Sequence, residues 1–387
     1  MTTGRVYLDH ASTSPLRPEA REALVAWLDP GKAGDPSRIH QDGLEARHAI
    51  EVARDQVAGL LGARNREVCF TSGATEAIVA ACWGAAERGR HQVVPAIEHS
   101  AVRMAAERHG DVSLVAPDRL GRMDPDAVLA AVRPDTAVVH LQWGNHEVGT
   151  TQPVAEVAAE CRDRGVLVHI DAAQAAGRVP IDFAGLGADL LSISAHKLGG
   201  PAGVGALLIR RGLRLRPLLV GGDQERARRA GYENVPGLVG LGAACAALSD
   251  PDRLEAEAAT QRRLSQRIID AVAGTDGLQQ YGDPEHRLPH IVCLGVAGIE
   301  PQAVLLGLDR AGISAHSGSA CSSEALEPSP VLEAMGVDAH HSLRLSTGWS
   351  STDTDIDRFL DALPKVLIDL RALTVGSRNV DGIVPGP

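Results

Sequence analysis

Between residues 41 and 210 the chain alternates two patterns: apolar residues at helical spacing, and short apolar runs of strand length. In 41–61, Leu44, Ile50, Val57 and Leu61 recur at roughly helical intervals, and 67–70 then reads as a buried strand that ends in the glycine turn of TSGATE. Strand-like runs follow at 92–94, 112–115, 136–141, 166–171, 190–194 and 205–209, most of them separated by helical segments. This alternation predicts an α/β fold with a largely parallel sheet covered on both faces. Ligands of such sheets bind at the carboxyl ends of the strands, so chemistry is sought there.

A glycine-rich stretch, 221–242, breaks the alternation, and a charged helix over 252–273 leads into a region of different order. There 290–296, 302–311, 313–315, 329–335, 342–345 and 354–373 read as strand, helix, strand, helix, strand, helix. A domain boundary is placed at this change. The stretch after 373 reads as a mobile tail.

Composition narrows the class. The 387 residues carry 38 basic and 49 acidic side chains, a net charge of −11, which argues against non-specific nucleic-acid or anionic-membrane binding. Aromatic residues make up 3% against 44% hydrophobic, so Ala, Val, Leu and Ile must build the core, and base stacking is not expected. The six cysteines, at 69, 82, 161, 245, 293 and 321, form no CxxC pair. That pattern fits a reducing cytoplasm and neither a disulfide scaffold nor a zinc site, so no metal is expected. The opening residues lack the pattern of a signal peptide. The longest charge-free apolar stretch, 235–248, contains Pro236 and several glycines and falls short of the ~18 residues a membrane span needs, so a soluble protein is expected.

Four strand-end segments could carry chemistry. Lys197 in SISAHKLGGPAGVGAL follows a strand and precedes a Gly-Gly-Pro turn, where it can approach a ligand or remain a solvated loop lysine. Asp171 in VLVHIDAAQAAG closes an apolar strand, where a carboxylate needs a cationic or hydrogen-bonding partner or serves as a helix cap. FTSGATEA puts Gly73 and Thr75 at a helix start suited to a phosphate, although a capping box has the same appearance. It matches neither GxGxxG nor a Walker loop. His99 in AIEHSAV stands at another strand end, where a lone histidine is more often structural than catalytic.

These segments occur in one order with YLDHASTSP, GDPSRIHQDG, NHEVG, GGDQERARRAGYEN, HSGSACSSEALEPS and LRLS. The ensemble resembles the NifS/IscS-like cysteine desulfurases of the class V aminotransferase family, almost end to end. The resemblance implies a fold type I PLP-dependent transferase: a large α/β domain (15–255) with a mostly parallel seven-stranded sheet, a smaller α+β domain (256–373 with 1–14) carrying the cysteine loop, and a tail at 374–387. It implies pyridoxal 5′-phosphate (PLP) bound through Lys197, with Asp171 on the ring nitrogen and the Gly73, Ala74 and Thr75 turn on the phosphate, assisted by Ser194 and His196. Gln174 and Asn145 would address the ring oxygen, His99 would stack on the ring and shuttle a proton, and Arg344, with Asn145, would hold the substrate carboxylate.

Cys321, among Ser317, Gly318, Ser319 and Ala320, would take sulfur from L-cysteine as a persulfide, release L-alanine and pass the sulfur to an acceptor protein. Its distance from Pro328 resembles the branch with a long cysteine loop. Tyr232 stands where the family has the threonine of GTEN, which reaches the phosphate of the other subunit in a homodimer. Two further departures are Ala77, Ile78 and Val79 after FTSGATE, and Trp349 after LRLS. The rival expectations are a selenocysteine lyase or C–S lyase of the same fold, and a PLP-binding sulfur-relay scaffold without turnover.

Overall fold

A computed structural model describes residues 4–29, 32–317 and 328–378, the last six by backbone alone. Cys321 and the residues around it, 318–327, lie outside the described residues, as does 379–387. The final helix, Asp353–Arg378, runs five residues into the stretch read as a tail.

The first strand, β1 (Val6–Tyr7), pairs far along the chain. The next seven are β2 (Val68–Thr71), β3 (His91–Pro95), β4 (Asp111–Val115), β5 (Thr136–Gln142), β6 (Leu167–Asp171), β7 (Leu190–Ser194) and β8 (Gly205–Ile209). They form one sheet in the order β2-β8-β7-β6-β5-β3-β4. Every residue of β2, β3, β5, β6, β7 and β8 is buried, as helices on both faces require. Edge strand β4 is partly exposed. The sheet is mixed: β8 runs antiparallel to both β7 and β2, and the remaining pairings are parallel. The short return after β7 explains the reversal, because the ten residues between Ser194 and Gly205 are too few for a crossover helix.

The glycine-rich stretch that breaks the sequence pattern ends inside a buried helix, Val235–Leu248, which packs against Gln41–Leu60 and Pro18–Leu28. Its glycines permit that approach: a Cβ on Gly242 would lie 2.7 Å from Ala53 Cα.

Four further strands, β9 (Leu278–Tyr281), β10 (Ile291–Val296), β11 (Ile313–Ser314) and β12 (Ser342–Ser346), complete the C-terminal part. They form an antiparallel sheet ordered β12-β10-β9 and a parallel β1–β11 pair. Strand β10 shows the two-residue period directly. Ile291 and Cys293 join the core of the large sheet, while Val292, Leu294 and Val296 join a second core with Val6, Leu8, Leu264, Ile268 and Phe359.

Candidate active site

The carboxyl ends of β2, β5, β6 and β7 open onto one cavity of about 500 Å³. Asp171 closes β6, and Lys197 ends the single 3₁₀ turn Ala195–Lys197 that follows β7. Lys197 Nζ donates to the Ala11 carbonyl oxygen at 2.8 Å, so the N-terminal segment forms part of the wall. Burial and the Arg344 guanidinium push the Lys197 ammonium down to about 8, against the pull of Asp171 and Asp9. Asp171 Oδ1 accepts from the Ala173 N–H at 3.0 Å and from Ser192 Oγ at 3.1 Å.

Gly73, Ala74 and Thr75 line the cavity where the helix Ala74–Ala85 begins. Among the described residues no side chain caps that end, which leaves the N–H groups of its first turn for an anion. Gly73 has φ +152°, and the backbones approach so closely that a Cβ on Gly205 would lie 2.7 Å from Gly73 Cα. Ser194 and His196 line the same end, and burial beside Lys197 pushes His196 down to about 4. Ile78 faces the cavity from the first turns of this helix.

On the opposite wall His99 caps the helix Ser100–His109, its Nδ1 accepting from the Ala101 N–H at 3.1 Å. A neutral His99 therefore carries its proton on Nε2, and burial together with His146 pushes its pKa down to about 4. Gln174 Nε2 donates to the Ala11 carbonyl at 2.8 Å and its Oε1 faces His290 Nε2 at 3.3 Å. Arg344 on β12 is buried and holds the His146 carbonyl at 2.9 Å, Asp9 Oδ1 at 3.0 Å and Ser12 Oγ at 2.6 Å, while its Nε has no partner among the described residues.

The expectation for Asn145 is corrected. Its Oδ1 accepts from the N–H groups of Glu147 and Val148, at 2.8 and 2.9 Å, and its Nδ2 donates to the Ile97 carbonyl at 3.2 Å. Asparagine thus shapes the turn and does not line the cavity. The next residue, His146, does line it, with its ring edge-on to His99 at 5.1 Å between centroids and its Nδ1 buried without a partner among the described residues. The only sequence signal was the adjacent polar pair in NHEVG. Tyr232 lies away from its own chain's cavity, 64% exposed, with its hydroxyl donating to the Gly34 carbonyl at 3.0 Å.

The described residues on either side of 318–327 pair with residues in or next to the cavity lining. His316 pairs with Arg344 backbone to backbone, and Ser329 donates to the buried Glu147. Trp349, the third departure, donates its indole N–H to the Pro15 carbonyl at 2.9 Å beneath Arg17.

The aminotransferase class-V family model matches residues 6–359. "Cysteine desulfurase IscS" of Methanosarcina thermophila is 40% identical over 380 residues, covering 95% of this chain and 93% of that one. The chain belongs to the cysteine desulfurases of the class V aminotransferase family. "Cysteine desulfurase IscS 1" of Archaeoglobus fulgidus is also 40% identical, over 95% of this chain and 98% of its own. A solved structure described as a NifS-like protein superposes with a TM-score of 0.87 at 32% identity, over 95% of this chain and all of the other. The cavity at the strand ends, lined by Lys197, Asp171, His99 and Arg344, is the candidate active site of this fold.

Proposed function

We propose that the chain converts L-cysteine to L-alanine with PLP held in this cavity, and that Cys321 takes the sulfur as a persulfide. The observation that carries the reading is the convergence of Lys197 and Asp171, from adjacent strands, on one cavity beside a free helix N-terminus.

The residues fit that cofactor. The uncapped N–H groups after Gly73, with Thr75, Ser194 and His196, suit its phosphate, and Asp171 suits a protonated ring nitrogen. The unpartnered His146 Nδ1 suits a hydroxyl on the ring, taking the part expected of Asn145 beside Gln174. His99 offers a neutral ring face. When bound, PLP supplies the electron sink that makes the Cα proton of the substrate amino acid acidic.

Lys197 would hold the cofactor through Nζ and, once released by substrate, accept and return the Cα proton. Its lowered pKa keeps a substantial neutral fraction near neutral pH. Arg344 would bind the substrate carboxylate, its guanidinium oriented by the His146 carbonyl on Nη1 and by Asp9 and Ser12 on Nη2. The Nε2–H of His99 would donate to the substrate's sulfur side. The Cys321 thiolate then attacks that sulfur: an S–S bond forms, the C–S bond breaks, and the carbon gains the proton needed for alanine.

The chain would work as a homodimer whose exposed Tyr232 reaches the partner's phosphate, and would deliver sulfur to an acceptor protein in the cytoplasm. Free, buried cysteines in the described part are consistent with that compartment, and no described helix is long and apolar enough to cross a membrane. The domains would lie at 15–255 and 256–373 with 1–14: the second core draws only on the latter, while the core of the large sheet also takes in Ala11, Ile291 and Leu332 across the boundary. Borohydride reduction of PLP-loaded protein, followed by peptide mass mapping, tests the reading. The cofactor's mass on the Lys197 peptide is expected, and its absence, or its presence on another lysine, would overturn it.

A further inference from the structure

Four strands of the large sheet carry polar side chains in a line where a doubly covered sheet calls for apolar ones. Gln92 on β3, His140 on β5, His169 on β6 and Ser192 on β7 are fully buried. Gln92 Oε1 lies 2.9 Å from His140 Nε2, and His140 Nδ1 lies 2.9 Å from His169 Nδ1. His169 Nε2 is 3.2 Å from Ser192 Oγ, which is 3.1 Å from Asp171 Oδ1. We propose that these residues form a one-way hydrogen-bond chain with every donor directed toward Asp171, and that His140 and His169 are positioning residues for that carboxylate. The inference rests on the reading of Asp171 as the partner of the cofactor's ring nitrogen.

The direction follows from counting protons. Burial pushes His140 down to about 3 and His169 well below the ordinary histidine range, so each is neutral and has one N–H. A neutral imidazole that donates from one nitrogen accepts at the other, so one end of the chain dictates the rest. Two arrangements exist. In the first, Asp171 is a carboxylate that accepts from Ser192, Ser192 accepts from His169 Nε2–H, His169 accepts from His140 Nδ1–H, and His140 Nε2 is an acceptor. In the second every donor is reversed, which requires a proton on Asp171 and a proton on His140 Nε2.

Two observations favour the first arrangement. Cys82 Sγ lies 3.7 Å from His140 Nε2, and burial pushes that thiol up to about 12, so it keeps an S–H that can donate there. Gln92 Nε2 is buried with no acceptor among the described residues, and exchanging the two ends of the amide, which have the same shape, gives it His140 Nε2. Asp171 Oδ1 is then committed to Ser192 and the Ala173 N–H, and Oδ2, without a partner among the described residues, is left for the cavity. A carboxylate held this way keeps its orientation when the cofactor is absent.

The test is ¹⁵N NMR of the histidine-labelled whole chain, with and without PLP, with His140→Asn and His169→Asn used for assignment. His140 protonated at Nδ1 and His169 at Nε2 are expected in both states. The opposite pair of tautomers, or a doubly protonated ring, would overturn the proposal. Ser192→Ala is expected to weaken PLP retention about ten- to hundredfold, as loss of a hydrogen bond to a charged group does, and Ser192→Thr to restore most of it. Unchanged retention in Ser192→Ala would overturn the positioning role, and if that variant does not fold the tautomers of the wild-type chain still decide. A wild-type chain that binds no PLP would instead remove the reading of the cavity and leave the tautomer result standing.

Discussion

Lys197 Nζ and Gln174 Nε2 donate to the same acceptor, the Ala11 carbonyl oxygen, each at 2.8 Å. The Lys197 amine therefore shares its acceptor with a neutral amide, in a setting where burial and Arg344 already push its pKa down to about 8. Only the neutral amine attacks the aldehyde of PLP. The rate at which cofactor-free chain captures PLP is expected to rise with pH through a midpoint near 8. Gln174→Met leaves the carbonyl to the ammonium alone and should move that midpoint upward. Stopped-flow absorbance across pH 6.5–9.5 checks both, and a midpoint unmoved by the substitution would contradict the shared-acceptor account.

Asn145 and His146 should separate cleanly on substitution. Asn145→Ala strips the acceptor from two buried N–H groups, so a loss of about 1–3 kcal/mol in unfolding free energy is expected. His146→Ala removes a group that faces the cavity and should mainly weaken PLP retention, with little change in the denaturant midpoint. Equilibrium unfolding and cofactor titration on each variant make the comparison.

Burial pushes the Glu147 carboxyl up to about 7, with the Ser329 hydroxyl pulling the other way. In the unfolded chain a glutamate titrates near ~4.3, so between these values the folded chain holds more protons and stability falls as pH rises, with the full penalty present above 7. Glu147→Gln keeps an acceptor for Ser329 and removes the penalty. Its melting temperature should exceed that of wild type by about 2–4 °C at pH 8.5 and by less at pH 5.5.

The contact of Gly205 with Gly73 should not tolerate a methyl group. A Cβ at 205 would lie 2.5 Å from the Ile193 carbonyl and 2.7 Å from Gly73 Cα, both backbone atoms, so Gly205→Ala should cost about 1–3 kcal/mol and loosen PLP together. Gly59→Ala, inside a helix with nothing nearer than 3.9 Å, should instead stabilise by about 1 kcal/mol. Denaturant midpoints with a parallel PLP titration distinguish the two.

The buried strands were legible because a strand covered on both faces is a largely apolar run, as in β8 throughout and in β5, β6 and β7 apart from a few polar positions. Strand β9, with Gln279 and Gln280 and only partial burial, and the two-residue β1 gave no such run. The reversal of β8 was illegible because periodicity carries no sense of direction. Lys197, Asp171, His99 and Arg344 were found by motif and do meet at one cavity. The choice between Asn145 and His146 depended on turn geometry: an asparagine two residues ahead of free N–H groups folds back on its own backbone. The polar line through the sheet was hidden because His140 and His169 sit inside apolar runs, and their partners come from other strands.

Sulfur transfer from L-cysteine to Cys321 is the central claim. Burial pushes the thiols of Cys69, Cys82 and Cys245 up to about 12, Cys161 to about 11, and Cys293 higher still, so none of them supplies a thiolate at neutral pH. The decisive measurement is incubation of PLP-loaded chain with L-cysteine and no other thiol, with quantitation of alanine and mass mapping of persulfide on all six cysteines. One alanine per active site with a persulfide on Cys321 alone is expected, and Cys321→Ser should bind cysteine, as a shift of the cofactor's spectrum would report, but release no alanine. Alanine release by Cys321→Ser at the wild-type rate, or a persulfide mapped to a buried cysteine, would contradict the account.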